Sequence, residues 1–120
     1  MSTEHVPTAV KGDRSERPKW VYVAGPYTQP DPIENTQAVV AMAEQLYAAG
    51  YMPVVPHLNM LWHLISPHEP DFWYEYDLEL LKRCDMLVRL PGESTGADRE
   101  VRVARELGIT VYDDPNGWPW

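Results

Sequence analysis

Two carboxylic acids, Glu100 and Asp77, stand where the sequence could support nucleophilic or acid–base chemistry. Glu100 follows the loop PGESTG, in the first turn or so of a predicted helix. A helix dipole favours negative charge at this end, so we expect a lowered pKa and an ionised carboxylate able to attack an electrophilic carbon. A glutamate at a helix start can equally face solvent and take no part in chemistry.

Asp77 lies in the preceding predicted helix, one position from its apolar face. Trp73 and Leu81 stand four residues before and after it, so Asp77 could face the interior from the edge of the core. A half-buried carboxyl group has a raised pKa and can serve as a general acid. The alternative is a surface residue that pairs with Lys82 or Arg83, and spacing does not decide between the two.

Ser94, Thr95 and Gly96 lie at the junction between a predicted strand and the helix that carries Glu100. The first N–H groups of a helix have no partner within it, and together with the helix dipole they favour an anion such as phosphate. Ser94 or Thr95 could also simply cap the helix. The two roles can coexist.

The Pro-rich segment from Pro56 to about Pro70 predicts a long loop. Within it, His57, Asn59 and Trp62 offer hydrogen-bonding edges and a stacking face of the kind that holds a nucleobase. The possible metal ligands of this region are His57, His63, His68 and Asp71. Their spacing matches no compact zinc pattern, so we expect neither a metal nor an organic cofactor.

Strand-like and helix-like segments alternate along the chain. The strand-like segments are WVYVAG (20–25), YMPVV (51–55), MLVRL (86–90) and ITVYD (109–113). The helix-like segments cover residues 35–49, about 71–84 and 97–107. Alternation of this kind predicts a single α/β domain with a doubly wound, mainly parallel sheet of four to five strands.

The helical spacing also predicts which side chains face the sheet. For the second helix these are Phe72, Trp73, Tyr76, Leu80 and Cys84. For the last helix they are Ala97, Val101, Ala104 and Leu107. Pro53 predicts that the second strand lies at an edge or is short, because proline cannot donate to a sheet ladder.

In sheets of this kind, ligands bind beyond the carboxyl ends of the strands. Three loops of the sequence are expected there: AGPYT (24–28), PHLNMLWH (56–63) and PGESTG (91–96). The first of them adds Gly25, Pro26 and Tyr27 to the candidate binding residues. The three loops together predict one site.

Length and charge restrict the class of protein. The 120 residues allow one compact domain, and we expect a mobile tail over 1–18 and a folded domain over 19–120. The net charge of −8 repels phosphate backbones, so a stable nucleic-acid complex is not expected. No apolar run reaches the roughly 20 residues that cross a bilayer. One cysteine, Cys84, and a start without a signal-peptide core indicate a cytoplasmic protein.

Three segments carry a family resemblance: VYVAGPYT, GYMPVVPHLN and YDLELLKRCDMLVRLPGESTGADREVRVARELGI. Over residues 20–113 they resemble the nucleoside 2-deoxyribosyltransferase-like superfamily, including its small bacterial and phage members of unassigned function. The resemblance implies a flavodoxin-like or Rossmann-like sheet, a homodimer or higher homo-oligomer, and cleavage of the bond between a base and a 2′-deoxyribosyl carbon. By matched position it implies Glu100 as the nucleophile on C1′, Asp77 as the acid that assists the leaving base, and Tyr22 as the active-site tyrosine.

Ser94 decides which branch of the superfamily the chain resembles most. Base-exchanging transferases carry Asp at this position, whereas the relatives that hydrolyse 2′-deoxynucleoside 5′-monophosphates carry Ser. A carboxylate would repel the 5′-phosphate, while a hydroxyl and free N–H groups would bind it. We therefore expect a monophosphate N-hydrolase with a small-molecule nucleotide as its ligand. The alternatives are a base-exchanging deoxyribosyltransferase and a non-catalytic nucleotide-binding module.

Overall fold

The computed structural model describes residues 17–120, which form an α/β domain around one sheet. The strands are β1 (Trp20–Ala24), β2 (Met52–Val54), β3 (Met86–Arg89) and β4 (Thr110–Tyr112). All neighbouring strands are parallel, in the order β2-β1-β3-β4. The predicted parallel sheet is confirmed, with four strands. Residues 1–16 of the predicted tail lie outside the described residues.

The α-helices are α1 (Pro32–Ala48), α2 (Met60–Ile65), α3 (Pro70–Lys82) and α4 (Thr95–Glu106). α1 packs on one face of the sheet, and α3 and α4 pack on the other. The strand order therefore reverses between β1 and β3, which is where ligands bind in doubly wound sheets. Within residues 17–120, no helix is both long and apolar enough to cross a membrane.

The side chains of β1 alternate between two cores because successive residues of a strand point to opposite faces. Tyr22 and Ala24 join the core under α3 and α4, together with Leu87 of β3. Val21 and Val23 join the core under α1. A central strand that is buried on both faces reads as a continuous apolar run, which explains why β1 was visible in the sequence.

β2 lies at one edge of the sheet, as Pro53 predicted. At the other end of the chain, Trp118 is buried in the core under α1 and packs edge-on against Tyr51 and Tyr112. The described C-terminal residues therefore contribute to the same core as α1.

The segment predicted as a long loop is largely helical, so that prediction is wrong. A 3-10 helix, Pro56–Asn59, leads directly into α2. Leu58, Leu61, Leu64 and Ile65 are all exposed, and no residue of α2 is buried. Leu58, Leu61 and Ile65 recur at helical spacing, but α2 has only 6 residues, which is too short for a helical pattern to be recognised between the flanking prolines.

Two predicted helix faces also need correction. Leu107 is 49% exposed rather than buried, because it follows the end of α4. For the second predicted helix, the contacts of Leu80 and Cys84 with the core are confirmed, whereas Tyr76 is exposed and Leu81 is fully buried. The buried face of α3 is therefore centred on Leu81, which places Asp77 on the inner side of the helix.

The loops that follow β1 and β3 pack tightly against each other. Gly92 has a φ of +119°, and a Cβ there would lie 2.7 Å from Cγ of Pro26. A Cβ on Gly25 would lie 3.2 Å from Cβ of Leu90, and the Leu90 N–H donates to the carbonyl of Ala24. Glycine at position 92 satisfies both the backbone conformation and the close approach. The loops AGPYT and PGESTG are thus held side by side.

Candidate active site

Tyr22 and Glu100 form the central contact of the candidate site. Tyr22 is fully buried in β1, and its hydroxyl donates a hydrogen bond of 2.5 Å to Oε2 of Glu100. Glu100 reaches the sheet because it lies on the same side of α4 as the buried residues Ala97, Val101 and Ala104. The interpretation of Glu100 as a solvent-facing residue is therefore wrong.

The predicted pKa of Glu100 is wrong in direction. Burial raises the pKa from 4.5 to about 7, the hydrogen bond from Tyr22 lowers it, and the charge of Asp77 raises it further. With Ser94 as the N-cap, Glu100 lies in the second turn of α4, whereas a helix dipole acts mainly within the first turn. Desolvation of the carboxylate therefore outweighs the dipole.

Asp77 lies close enough to Glu100 for the two charges to interact, and its own pKa is raised to about 7 by burial. The side-chain N–H of Asn59 approaches Oδ1 of Asp77 at 3.4 Å and partly offsets this rise in pKa. The alternative of a surface ion pair is wrong, because Lys82 and Arg83 pair with Glu79. Asp77 and Glu100 are called the carboxyl pair below.

Tyr22 remains a proton donor to this pair. Burial raises its pKa well above 10.0, and the neighbouring charges of Glu100 and Asp77 add to that effect. A phenol that holds its proton can donate to an ionised Glu100 at any pH near neutrality. This donation favours the ionised form of Glu100 over that of Asp77.

α3 and α4, which carry the carboxyl pair, also contact each other through a cation–π interaction. The guanidinium of Arg99 lies 4.0 Å from the centre of the Tyr74 ring. Interactions of this kind stabilise exposed sites by about 0.5–1 kcal/mol. The contact joins the residue before Glu100 to a residue one turn before Asp77, and so helps to fix the spacing of the pair.

Ser94 is the N-cap of α4, as one of the two predicted roles required. Its hydroxyl oxygen accepts a hydrogen bond of 3.0 Å from the N–H of Ala97. Thr95 and Gly96 are exposed at the start of the helix. Their N–H groups belong to the first turn, which has no intrahelical acceptors. The capping role leaves this end of α4 open to an anion.

Of the three predicted base-contacting residues, only Asn59 touches the carboxyl pair. His57 is 7% exposed, and its Nε2–H donates a hydrogen bond of 2.7 Å to the carbonyl of Pro26. Burial lowers the pKa of His57, so the neutral ring holds the AGPYT turn. Its ring also packs edge-on against Tyr27, at 5.4 Å between centroids. The predicted base-binding role of His57 is therefore replaced by a structural one.

Trp62 belongs to an aromatic cluster between α2 and α3. The cluster consists of Trp62, His63, His68, Phe72, Trp73 and Tyr76. Trp62 packs edge-on against Trp73 and Tyr76 and is 41% exposed. These contacts attach α2 to α3.

Sequence reasoning missed Arg89, the last residue of β3. By strand alternation it lies on the same face as Leu87, which is also the face of Tyr22. Its guanidinium donates to the carbonyl of Leu90 and, at 2.8 Å, to Oδ1 of Asp98. The sequence does contain a signal for Arg89: it is a charged residue near the end of the apolar strand MLVRL (86–90), two residues after Leu87 and therefore on the same face.

No group of three or more His, Cys, Asp or Glu side chains within residues 17–120 is arranged to hold a metal ion. Cys84 is buried, its thiol donates to the carbonyl of Leu80, and burial raises its pKa to about 12. A thiol with this pKa is not a nucleophile at neutral pH. Cys84 therefore offers no thiolate to the candidate site at neutral pH.

Residues 19–113, which include Tyr22, Asp77 and Glu100, match the model of a family described as Domain of unknown function (DUF7768). The chain belongs to this family. A matching solved structure is the 2-deoxyribosyltransferase of the psychrotolerant bacterium Bacillus psychrosaccharolyticus, with a TM-score of 0.58 and 20% identity. The match covers 84% of this chain and 76% of that chain, and it shows that the DUF7768 domain shares its fold. No curated protein matches the chain.

The raised pKa of Glu100 predicts how the stability of the DUF7768 domain depends on pH. Between pH 4.5 and 7 the folded state binds more protons than the unfolded state, so the free energy of unfolding falls as pH rises through this window. Glu100→Gln should remove up to about 3 kcal/mol of this dependence. Urea unfolding of both proteins at several pH values measures the difference.

Glu106→Gln is the matched control, because Glu106 is exposed on the same helix. It should keep the pH dependence of the wild type. Groups common to all three proteins that lie away from the carboxyl pair cancel in the comparison. Equal slopes for the wild type and Glu100→Gln would contradict the assigned burial of Glu100.

Proposed function

We propose that this protein is an enzyme that hydrolyses the N-glycosidic bond of a 2′-deoxynucleoside 5′-monophosphate. The observation that carries the proposal is a partly buried carboxyl group, Glu100, that receives a hydrogen bond from Tyr22 with Asp77 beside it. The three lie on one face of the sheet, near the reversal of strand order. The fold shared with a 2-deoxyribosyltransferase, which is described as a biocatalyst for nucleoside synthesis, supports the substrate class.

Glu100 would act as the nucleophile. Its ionised carboxylate attacks C1′ of the sugar, the C1′–N bond breaks, and a covalent glycosyl-enzyme ester forms. Asp77, in its protonated form, gives a proton to the departing base nitrogen. A water molecule, deprotonated by the Asp77 carboxylate, then attacks C1′, releases the sugar phosphate and restores both acids.

The two carboxyl groups must hold one proton between them at the start of this reaction. Both pKa values are raised to about 7, so near neutral pH the pair keeps a proton that isolated carboxyl groups would have lost. The 2.5 Å bond from Tyr22 stabilises charge on Glu100, whereas the contact of Asn59 with Asp77 is longer, at 3.4 Å. The shorter bond supports a charge on Glu100 and a proton on Asp77 at the start of the proposed reaction.

Ser94 and the first N–H groups of α4 would bind the 5′-phosphate. Thr95 and Gly96 are exposed at the helix start, and the hydroxyl of Ser94 can still donate while its oxygen accepts from Ala97. Gly25, Pro26 and Tyr27 would border the sugar from the neighbouring loop. Base exchange by a deoxyribosyltransferase remains the second candidate, because a protein with this name shares the fold.

The predicted homodimer and cytoplasmic location are also kept as proposals. The segment 58–66 contains no Asp, Glu, Lys or Arg and exposes the side chains of Leu58, Leu61, Leu64 and Ile65. In a chain of net charge −8, such an uncharged surface is where a second copy meets the least repulsion. Sedimentation equilibrium measures the oligomeric state directly.

Glu100→Gln tests the nucleophile. The amide keeps the size of the side chain and can still accept a hydrogen bond from Tyr22, but it loses the nucleophilic charge. We expect base release from a panel of 2′-deoxynucleoside monophosphates to fall by a factor of 1,000 or more, while nucleotide binding persists. Chromatography for free base measures the rate, and Glu106→Gln should keep full activity.

The outcomes of that experiment separate the candidate functions. Full activity in Glu100→Gln would overturn the mechanism. Binding of nucleotides by the wild type without any base release would instead support a nucleotide-binding module. Release that depends on an added second base would favour the transferase.

Substitution of Ser94 tests phosphate recognition, which separates the hydrolase from the transferase. Ser94→Asp keeps a residue that caps helices but places a negative charge where the 5′-phosphate would bind. The ratio of kcat/KM for monophosphate over nucleoside should fall by about 30-fold, which corresponds to about 2 kcal/mol. Ser94→Asn is the matched control, because it caps the helix without charge, and it should keep most of the preference. If the wild type uses both substrates equally, the hydrolase assignment is wrong.

A further inference from the structure

Arg89 is a nearly buried cation at the open end of the candidate site. Its side chain is 11% exposed, whereas that of its partner Asp98 is 67% exposed. The end of the guanidinium that contacts Asp98 therefore lies at the surface, while the rest of the side chain is covered. On β3, Arg89 pairs in register with Ala24, the residue before the AGPYT turn.

The position of Asp98 places Arg89 beside the start of α4. Asp98 follows Thr95 by three residues and Ser94 by four, so it lies one turn below them on the same side of the helix. The Arg89 guanidinium, bound to Asp98 at 2.8 Å, borders the exposed helix start from the side of β3. A cation and the free N–H groups of a helix thus converge on one place.

The partner of Arg89 is replaceable. Asp98 is 67% exposed, so water can solvate its carboxylate when the guanidinium turns to another anion. A guanidinium has five N–H donors in a planar fork, and the bonds to Leu90 and Asp98 each use one nitrogen. A phosphate carries more charge than a carboxylate and fits the fork with two parallel bonds.

We propose that Arg89 is a specificity-determining residue that binds the phosphate monoester of the substrate, exchanging Asp98 for the phosphate when the nucleotide enters. The proposal rests on the proposed function for the identity of the nucleotide. It adds to that function a cation, Arg89, whose charge offsets the repulsion between the substrate phosphate and the carboxyl pair. Asp98 acts as the competing anion that holds the guanidinium in place while the site is empty.

The electrostatics of the carboxyl pair support this role. A dianionic phosphate near Glu100 would favour the protonated, non-nucleophilic form of that carboxyl group. The charge of Arg89 already acts on Glu100 in the opposite direction and lowers its pKa. Arg89 therefore offsets the phosphate charge at the residue where ionisation matters.

Equilibrium binding tests the proposal without turnover. Isothermal titration of Glu100→Gln with a 2′-deoxynucleoside monophosphate and with the matching nucleoside gives the parent affinities. Adding Arg89→Gln should weaken monophosphate binding at least tenfold and leave nucleoside binding unchanged, and Arg89→Lys should restore part of the loss. Adding Asp98→Asn should strengthen monophosphate binding several-fold, because it removes the competing anion. Inorganic phosphate, titrated alone, shows whether the base and sugar are needed.

The opposite signs of the two substitutions separate recognition from structure. If the ion pair only stabilised the loop, Arg89→Gln and Asp98→Asn would weaken both ligands together, and that result overturns the proposal. Unchanged phosphate preference in Arg89→Gln also overturns it. Should Arg89→Gln fail to fold, Asp98→Asn alone decides by the direction of its effect.

Failure of the proposed function is distinguishable from failure of this inference. If the wild type releases no base but the two substitutions shift monophosphate binding as expected, the chemistry fails and the role of Arg89 stands. Base release by the wild type with no effect of Arg89→Gln on phosphate preference leaves the function and removes the inference. Absence of any monophosphate binding by the parent variant contradicts both.

Discussion

The hydrogen bond between Tyr22 and Glu100 joins the fully buried Tyr22 of the central strand to a partly buried carboxyl group of α4. A carboxyl group in such a place is costly to ionise, and the cost falls when a donor contacts the charged form. Tyr22 is that donor, and its own burial keeps its proton in place. Every other feature of the site serves to hold a second acid, Asp77, and a set of loops around this contact.

Residues that take no part in the proposed reaction hold the loops in position. Glycine at position 92 allows the PGESTG loop to touch Pro26, and the neutral ring of His57 holds the carbonyl of the same proline. The parallel sheet brings the carboxyl ends of β1 and β3 together. Contacts of this kind fix the geometry, which matters because small displacements of catalytic groups reduce rates strongly. Burial of two acids with raised pKa values lowers the stability of the folded state at neutral pH. The rest of the core offsets this loss.

The fold was largely predictable, because buried parallel strands and helices of period 3.6 leave distinct patterns in the sequence. Tyr22, from the family resemblance, and Asp77 and Glu100, from the resemblance and their places on the helices, were predicted as site residues, and the structure brings the three side chains together. α2 was not predicted, since its 6 residues are too few for a helical pattern to be recognised. The direction of the Glu100 pKa was wrong, because the sequence shows the helix dipole but not the depth of burial. Arg89 and the structural role of His57 depend on contacts between distant residues, Asp98 and Pro26, that spacing along the chain does not reveal.

The covalent intermediate on Glu100 is the central claim, and mass spectrometry of the acid-quenched enzyme tests it directly. Wild-type protein is mixed with a panel of 2′-deoxynucleoside 5′-monophosphates, stopped in acid within the first turnover, and digested for peptide mapping. The account predicts an added 2-deoxyribosyl 5-phosphate on the peptide that contains Glu100, formed together with one equivalent of free base and missing from Glu100→Gln. Base release with the adduct on another residue, or with no adduct at any time during the first turnover, would contradict it.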